Sequence, residues 1–140
     1  MKGILLISHG EMAYGLAQTA KLFFGERIEQ FEFCCLNSND HVNEFRQRIK
    51  QKVACLNTGE GVLILADILG GSPGNQAALC LTENVDLIMG MNLPMLMQAL
   101  CDRQAGTFNL DQIKIAAQEG IVNVKLQFAL ADDEDWLENE

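Results

Sequence analysis

The sequence predicts an α/β fold: an open, mostly parallel sheet of four parallel strands, with helices on both faces and one antiparallel edge strand. Two observations carry this. Short continuous apolar runs are each followed by a segment of helical spacing, the rhythm of a parallel sheet with crossover helices. The final segment, "VNVKLQFAL" (122–130), instead alternates apolar and polar residues, the pattern of a strand with one wet face. A chain of 140 residues with 49% hydrophobic content and two prolines is long enough for one domain with a real core. That domain is assigned to residues 1–131, and residues 132–140 to an acidic C-terminal tail in which Trp136 and Leu137 are the apolar residues.

Each element has its own signal. Ile4–Ile7 is an aliphatic run suited to a strand buried on both faces. Residues 11–24 follow as a helix, closed by Gly25. "QFEFCCL" (30–36) is the second strand, and "NSND" (37–40) supplies turn and cap chemistry for a helix over 40–56. "GVLILAD" (61–67) is the third strand, with "GNQAALCL" (74–81) in its helix. "VDLIMGM" (85–91) is the fourth strand. "NLPMLMQALCDR" (92–103) turns into a helix with Pro94 in its first turn, and a further helix over 109–119 ends at Gly120. The alternating segment places Val122, Val124, Leu126, Phe128 and Leu130 on one face.

Composition excludes several function classes. A net charge of −9 is a poor match for nucleic acid or an anionic membrane surface. The five cysteines, Cys34, Cys35, Cys55, Cys80 and Cys101, are odd in number and form no C-x-x-C, so they read as reduced, buried thiols of a cytosolic protein. No metal site is expected: His9, Asp67 and His41 lack ligand spacing, and His41 reads as a solvated residue in a polar first turn. The apolar run after Met1 is too short for a signal peptide, and no apolar segment reaches membrane-spanning length. The absence of G-x-G-x-x-G and of G-x-x-x-x-G-K-[ST] leaves no nucleotide cofactor to expect.

The strand order concentrates chemistry at one edge. Ligands of open parallel sheets sit outside the carboxyl ends of the strands. His9 follows strand one, Asp67 ends strand three and Asn92 follows strand four. If strands one and three are neighbours, His9 and Asp67 come within hydrogen-bond reach. The carboxylate then fixes the imidazole tautomer and leaves the other ring nitrogen as a nucleophile. Just beyond, Ser72 suits an N-cap with Pro73 as the first helical residue. Gly70 and Gly71 allow close approach to the backbone, and a helix start attracts anions. These are the parts of a phosphate seat beside a nucleophilic histidine.

A serine hydrolase built from Ser72, His9 and Asp67 fits the same letters, since Gly70–Gly74 matches G-x-S-x-G. Against it, Pro73 has no N–H to serve the oxyanion, and the order His, Asp, Ser reverses that of the α/β-hydrolases.

"ISHG" after the first strand, "DILGGSPGN" after the third and "GMNLPML" after the fourth resemble the mannose-family enzyme IIA domain of the bacterial phosphoenolpyruvate-dependent sugar phosphotransferase system. The resemblance runs from the first strand to about residue 130. It implies a cytoplasmic phosphotransferase component without a cofactor. In it His9 takes a phosphoryl group from the histidine-containing phosphocarrier HPr and passes it to an enzyme IIB. Asp67 is implied as the partner of that histidine, and Gly70, Gly71 and Ser72 as the phosphate-side loop. Met12, Asn92 and Pro94 are assigned to the site edge where partners dock, with Met91 and Met95 in the same apolar collar. The resemblance further implies a homodimer in which the alternating strand is exchanged, and an indirect link to a membrane sugar permease that makes the choice of sugar. The acidic tail stands where some members have an Ala/Pro-rich linker, as expected of a stand-alone IIA. An enzyme IIA-like subunit of a dihydroxyacetone kinase shares the fold, but its first motif is closer to S-H-S and it lacks G-G-S-P.

Overall fold

The computed structural model describes residues 1–131. Strand β1 (Gly3–His9) leads into α1 (Met12–Phe24), β2 (Phe31–Leu36), α2 (Val42–Leu56), β3 (Val62–Ala66), α3 (Ser72–Ala78) and β4 (Val85–Met89). Helices α4 (Leu93–Ala105), α5 (Leu110–Glu119) and α6 (Val124–Ala131) complete the described chain. The sheet runs β2-β1-β3-β4, with every neighbouring pair parallel.

The apolar runs form central strands because both of their faces are covered. Ile4, Leu6, Leu63 and Leu65 pack against α1, α4 and α5, while Leu5, Ile7, Ile64 and Ala66 pack against α2 and α3. The buried residues of helix α1 are alanines, Ala13, Ala17 and Ala20, with Leu16 and Phe24 partly buried against the same core. The chain steps from β1 outward to β2, then crosses back to β3 on the other side of β1. This reversal opens a crevice between the carboxyl ends of β1 and β3, the place where such sheets bind ligands.

The expected antiparallel edge strand is absent. Residues 122–130 do not join the sheet, which is wholly parallel, and Val124–Ala131 is helix α6. Asn123 explains the outcome locally. Its Oδ1 accepts the Leu126 N–H at 3.1 Å and its carbonyl accepts the Gln127 N–H at 3.0 Å. A strand here needs a partner for its backbone groups, whereas a helix satisfies them within the segment. The acidic tail, with Trp136 and Leu137, lies outside the described residues.

One further expectation changes. Cys34 and Cys80 are buried, but Cys55 and Cys101 are exposed, so burial holds for only part of the thiols. Burial pushes the Cys34 and Cys80 thiols above the ordinary cysteine range. Among the described residues no helix is long and apolar enough to cross a membrane.

Candidate functional site

His9 is the last residue of β1, and Asp67 follows the last residue of β3. The register pairs Ile7 with Ala66, so the two side chains leave neighbouring strands at the same edge. Oδ2 of Asp67 accepts both the backbone N–H of His9 and its ring Nδ1, each at 2.8 Å. Oδ1 accepts the Ile68 N–H at 2.9 Å. The carboxylate is largely covered, with its side chain 10% exposed against 51% for His9. An ionised carboxylate only accepts, so Nδ1 carries the ring proton and Nε2 presents a lone pair.

The loop after β3 closes around the other edge of the ring. A Cβ placed on Gly71 would stand 2.4 Å from Cε1 and 3.1 Å from Nε2 of His9. Gly71 is therefore glycine because the imidazole occupies the side-chain space, and its φ of −92° asks for nothing special. Gly70 is the reverse case: its space is open, but its φ of +89° lies in the left-handed region. Gly71 also takes the N-cap position of α3. Ser72 is thus the first helical residue, one place later than the sequence suggested, and Pro73 the second. The Ser72 hydroxyl makes no hydrogen bond within the described residues, and the first turn leaves the N–H groups of Ser72 and Gly74 without helical acceptors.

The remaining predicted residues divide. Met12 begins α1 and is exposed. Met91 and Met95 are buried in the core and form no collar. Asn92 caps α4, its Oδ1 accepting the Met95 N–H at 2.9 Å, while its Nδ2 donates to the Ala117 carbonyl of α5 at 3.0 Å. With β3 between β4 and β1, Asn92 spends its polar atoms on joining two helices and not on His9. Pro94 packs against Gly120, where a Cβ would meet its Cγ at 2.5 Å. His41 is the exposed N-cap residue of α2. No group of three or more His, Cys, Asp or Glu among the described residues could hold a metal ion.

Sequence reading passed over Ser8. It is fully buried and its hydroxyl accepts the Ala13 N–H of α1 at 2.8 Å. The signal was present: a hydroxyl closing an otherwise aliphatic run, on the same face as Ile4 and Leu6.

A family model described as EIIA-man, PTS system fructose IIA component, matches residues 3–115. The chain belongs to this family. Among the relatives of this EIIA-man chain, the mannose-specific EIIAB component of Escherichia coli is 30% identical over 124 residues, covering 87% of the chain. The chain spans 38% of the length of that relative. Two solved structures are similar throughout. The PTS IIA protein associated with the fucose utilization operon from Streptococcus pneumoniae is 32% identical, with a TM-score of 0.80 over 91% of this chain and 96% of that one. The phosphotransferase system component EIIA from Streptococcus agalactiae is 26% identical, with a TM-score of 0.80 over 90% of this chain and 99% of that one. Family membership makes the chain a phosphotransferase-system EIIA component. The geometry is also unhelpful to a hydrolase: no hydrogen bond joins Ser72 to His9 among the described residues, and the residue after the serine is Pro73.

Proposed function

We propose that the chain is a cytoplasmic phosphohistidine carrier that accepts a phosphoryl group on His9 from HPr and delivers it to an enzyme IIB, so feeding a membrane sugar permease indirectly. The observation that carries this reading is the bond from Nδ1 of His9 to Oδ2 of Asp67 at 2.8 Å. It leaves Nε2 with the free lone pair, the nucleophile of a half-exposed ring.

In the forward step Nε2 attacks the phosphorus of the donor phosphohistidine. The donor N–P bond breaks as the new N–P bond forms, and the donor imidazole keeps the electron pair. The His9 ring gains positive character, which the adjacent Asp67 carboxylate stabilises. Gly70, Gly71 and Ser72 form the phosphate side, where the Ser72 hydroxyl serves the transferred oxygens. Met12 lies at the rim where HPr and enzyme IIB dock in turn, its flexible thioether suited to two surfaces. In the second transfer a nucleophile of enzyme IIB attacks the phosphorus, the His9 N–P bond breaks and Nε2 keeps the electron pair; the working molecule is a homodimer.

Incubation with phosphoenolpyruvate, enzyme I and HPr should give an acid-labile, base-stable adduct on the wild type and none on His9→Ala. A label that persists in that variant, or that sits on Ser72, overturns the reading.

A further inference from the structure

We propose that Ser8 is a positioning residue for His9: its buried hydroxyl locks the loop after β1 so that the histidine's amide and its ring reach one carboxylate oxygen together. The inference rests on the phosphohistidine reading for its consequence in transfer, though the ring geometry it explains does not.

The alternation along β1 puts Ser8 on the face of Ile4 and Leu6, toward α1. Its Oγ accepts the Ala13 N–H at 2.8 Å and donates to the Gly10 carbonyl at 3.2 Å. Ala13 is the second residue of α1, whose own N-cap residue, Glu11, makes no side-chain cap bond. An N–H that the flanking residue would ordinarily satisfy is thus satisfied from the preceding strand. Ser8 thereby ties the two ends of the short link that carries His9.

The rest of that link is held from the sheet. The Gly10 N–H donates to the Leu36 carbonyl of β2 at 2.8 Å, and the His9 N–H donates to Asp67 beyond β3. Ser8 supplies the third tie, to α1. With all three, Oδ2 of Asp67 serves the His9 amide and Nδ1 at 2.8 Å each, which requires the ring to fold back over its own backbone. A link that drifts loses this shared acceptor. The ring can then exchange tautomers, and Nε2 is no longer held as a lone pair. Small displacements of a reacting atom are expensive, since a shift of about 1 Å can slow a reaction about 100-fold.

The test uses the full chain with ¹⁵N-labelled histidine and reads the tautomer of the unphosphorylated ring. His41, exposed at the start of α2, is the internal reference. The wild type should show His9 as the Nδ1–H tautomer. Ser8→Ala should mix the tautomers and slow phosphoryl acceptance from HPr roughly tenfold, and Ser8→Thr, which keeps the hydroxyl, should restore both. Gln18→Gly, on the exposed side of α1, should lower Tm while leaving the His9 signature unchanged. The proposal is overturned if Ser8→Ala lowers Tm alone, or if Gln18→Gly shifts the His9 tautomer as far as Ser8→Ala does. A wild type that takes no label would sink the carrier reading separately, because the tautomer comparison needs no phosphate.

Discussion

His9 meets Asp67 at one edge of its ring and Gly71 at the other. The two neighbours act differently, and substitutions separate them. Gly71→Ala keeps an acceptable backbone, but its Cβ claims the space of Cε1 at 2.4 Å, so the ring must move. Phosphoryl acceptance should fall about 10- to 100-fold with the fold intact. Gly70→Ala meets open space but a φ of +89°, so it should cost about 1–2 kcal/mol of stability while the ring keeps its seat. Thermal melts beside transfer rates distinguish the two. Asp67→Asn should leave the fold and slow transfer by roughly 100-fold or more, since an amide supplies no charge and can hold the wrong tautomer. Wild-type rates would remove Asp67 from the mechanism. The pairing of His9 with Asp67 was legible in the sequence because both end apolar runs at one sheet edge. The reason for Gly71 was not, because it depends on the rotamer of a distant histidine. The cap of α3 was misread because Gly71 outcompetes Ser72 for a position that glycine also fills well.

Elements differ in how far local signals decide them. Helix α4 begins where Asn92 and Pro94 predicted, yet the use made of Asn92 is structural. Asn92→Ala should lose both the cap and the link to Ala117, at about 1–2 kcal/mol. Asn92→Ser should recover the cap but not the link, which places its denaturation midpoint between the other two. Strand β2 offers a chemical check. Burial raises the Cys34 thiol pKa from its ordinary 9.0, so the folded state holds the proton more tightly than the unfolded chain. The associated stability is present below the ordinary value and is lost as pH rises through the folded one. Cys55 and Cys101 should therefore be alkylated first at neutral pH, with Cys34 and Cys80 protected until the fold opens. Early modification of Cys34 would mean that β2 is not held as described. The misread element is α6. Its alternation is real, but period 2 selects a strand only where another strand waits for its backbone, and the cap at Asn123 favours closing those bonds locally.

At the scale of the whole molecule, the described residues carry an apolar groove in addition to the His9–Asp67 pair. Among the described residues β4 has a single sheet neighbour, β3, and beside its other edge lies a groove of about 570 Å³ whose lining includes Leu69, Leu81, Leu87, Met89, Met95 and Ile121. Leu69 and Ile121 are 80% and 78% exposed, and Val122, Val124 and Leu126, which follow Ile121 in the chain, are exposed as well. Proteins tend to cover an open strand edge and an apolar patch that lie together. A two-fold axis beside β4 would let each copy cover the other's groove with the same residues. The net charge of −9 opposes association, so the contact must rest on apolar burial, and a stable one needs about 1,200–2,000 Å² in total. The intact protein should sediment at twice its 15.5 kDa at micromolar concentration. Leu81→Glu combined with Ile121→Glu should shift it to a monomer that still takes phosphate on His9, because neither residue belongs to the loop around the ring. Truncation after Gly120 should weaken the dimer in the same direction by removing Ile121 and α6. An intact chain that sediments as a monomer, or a double variant that stays dimeric, would show that this groove is not the interface.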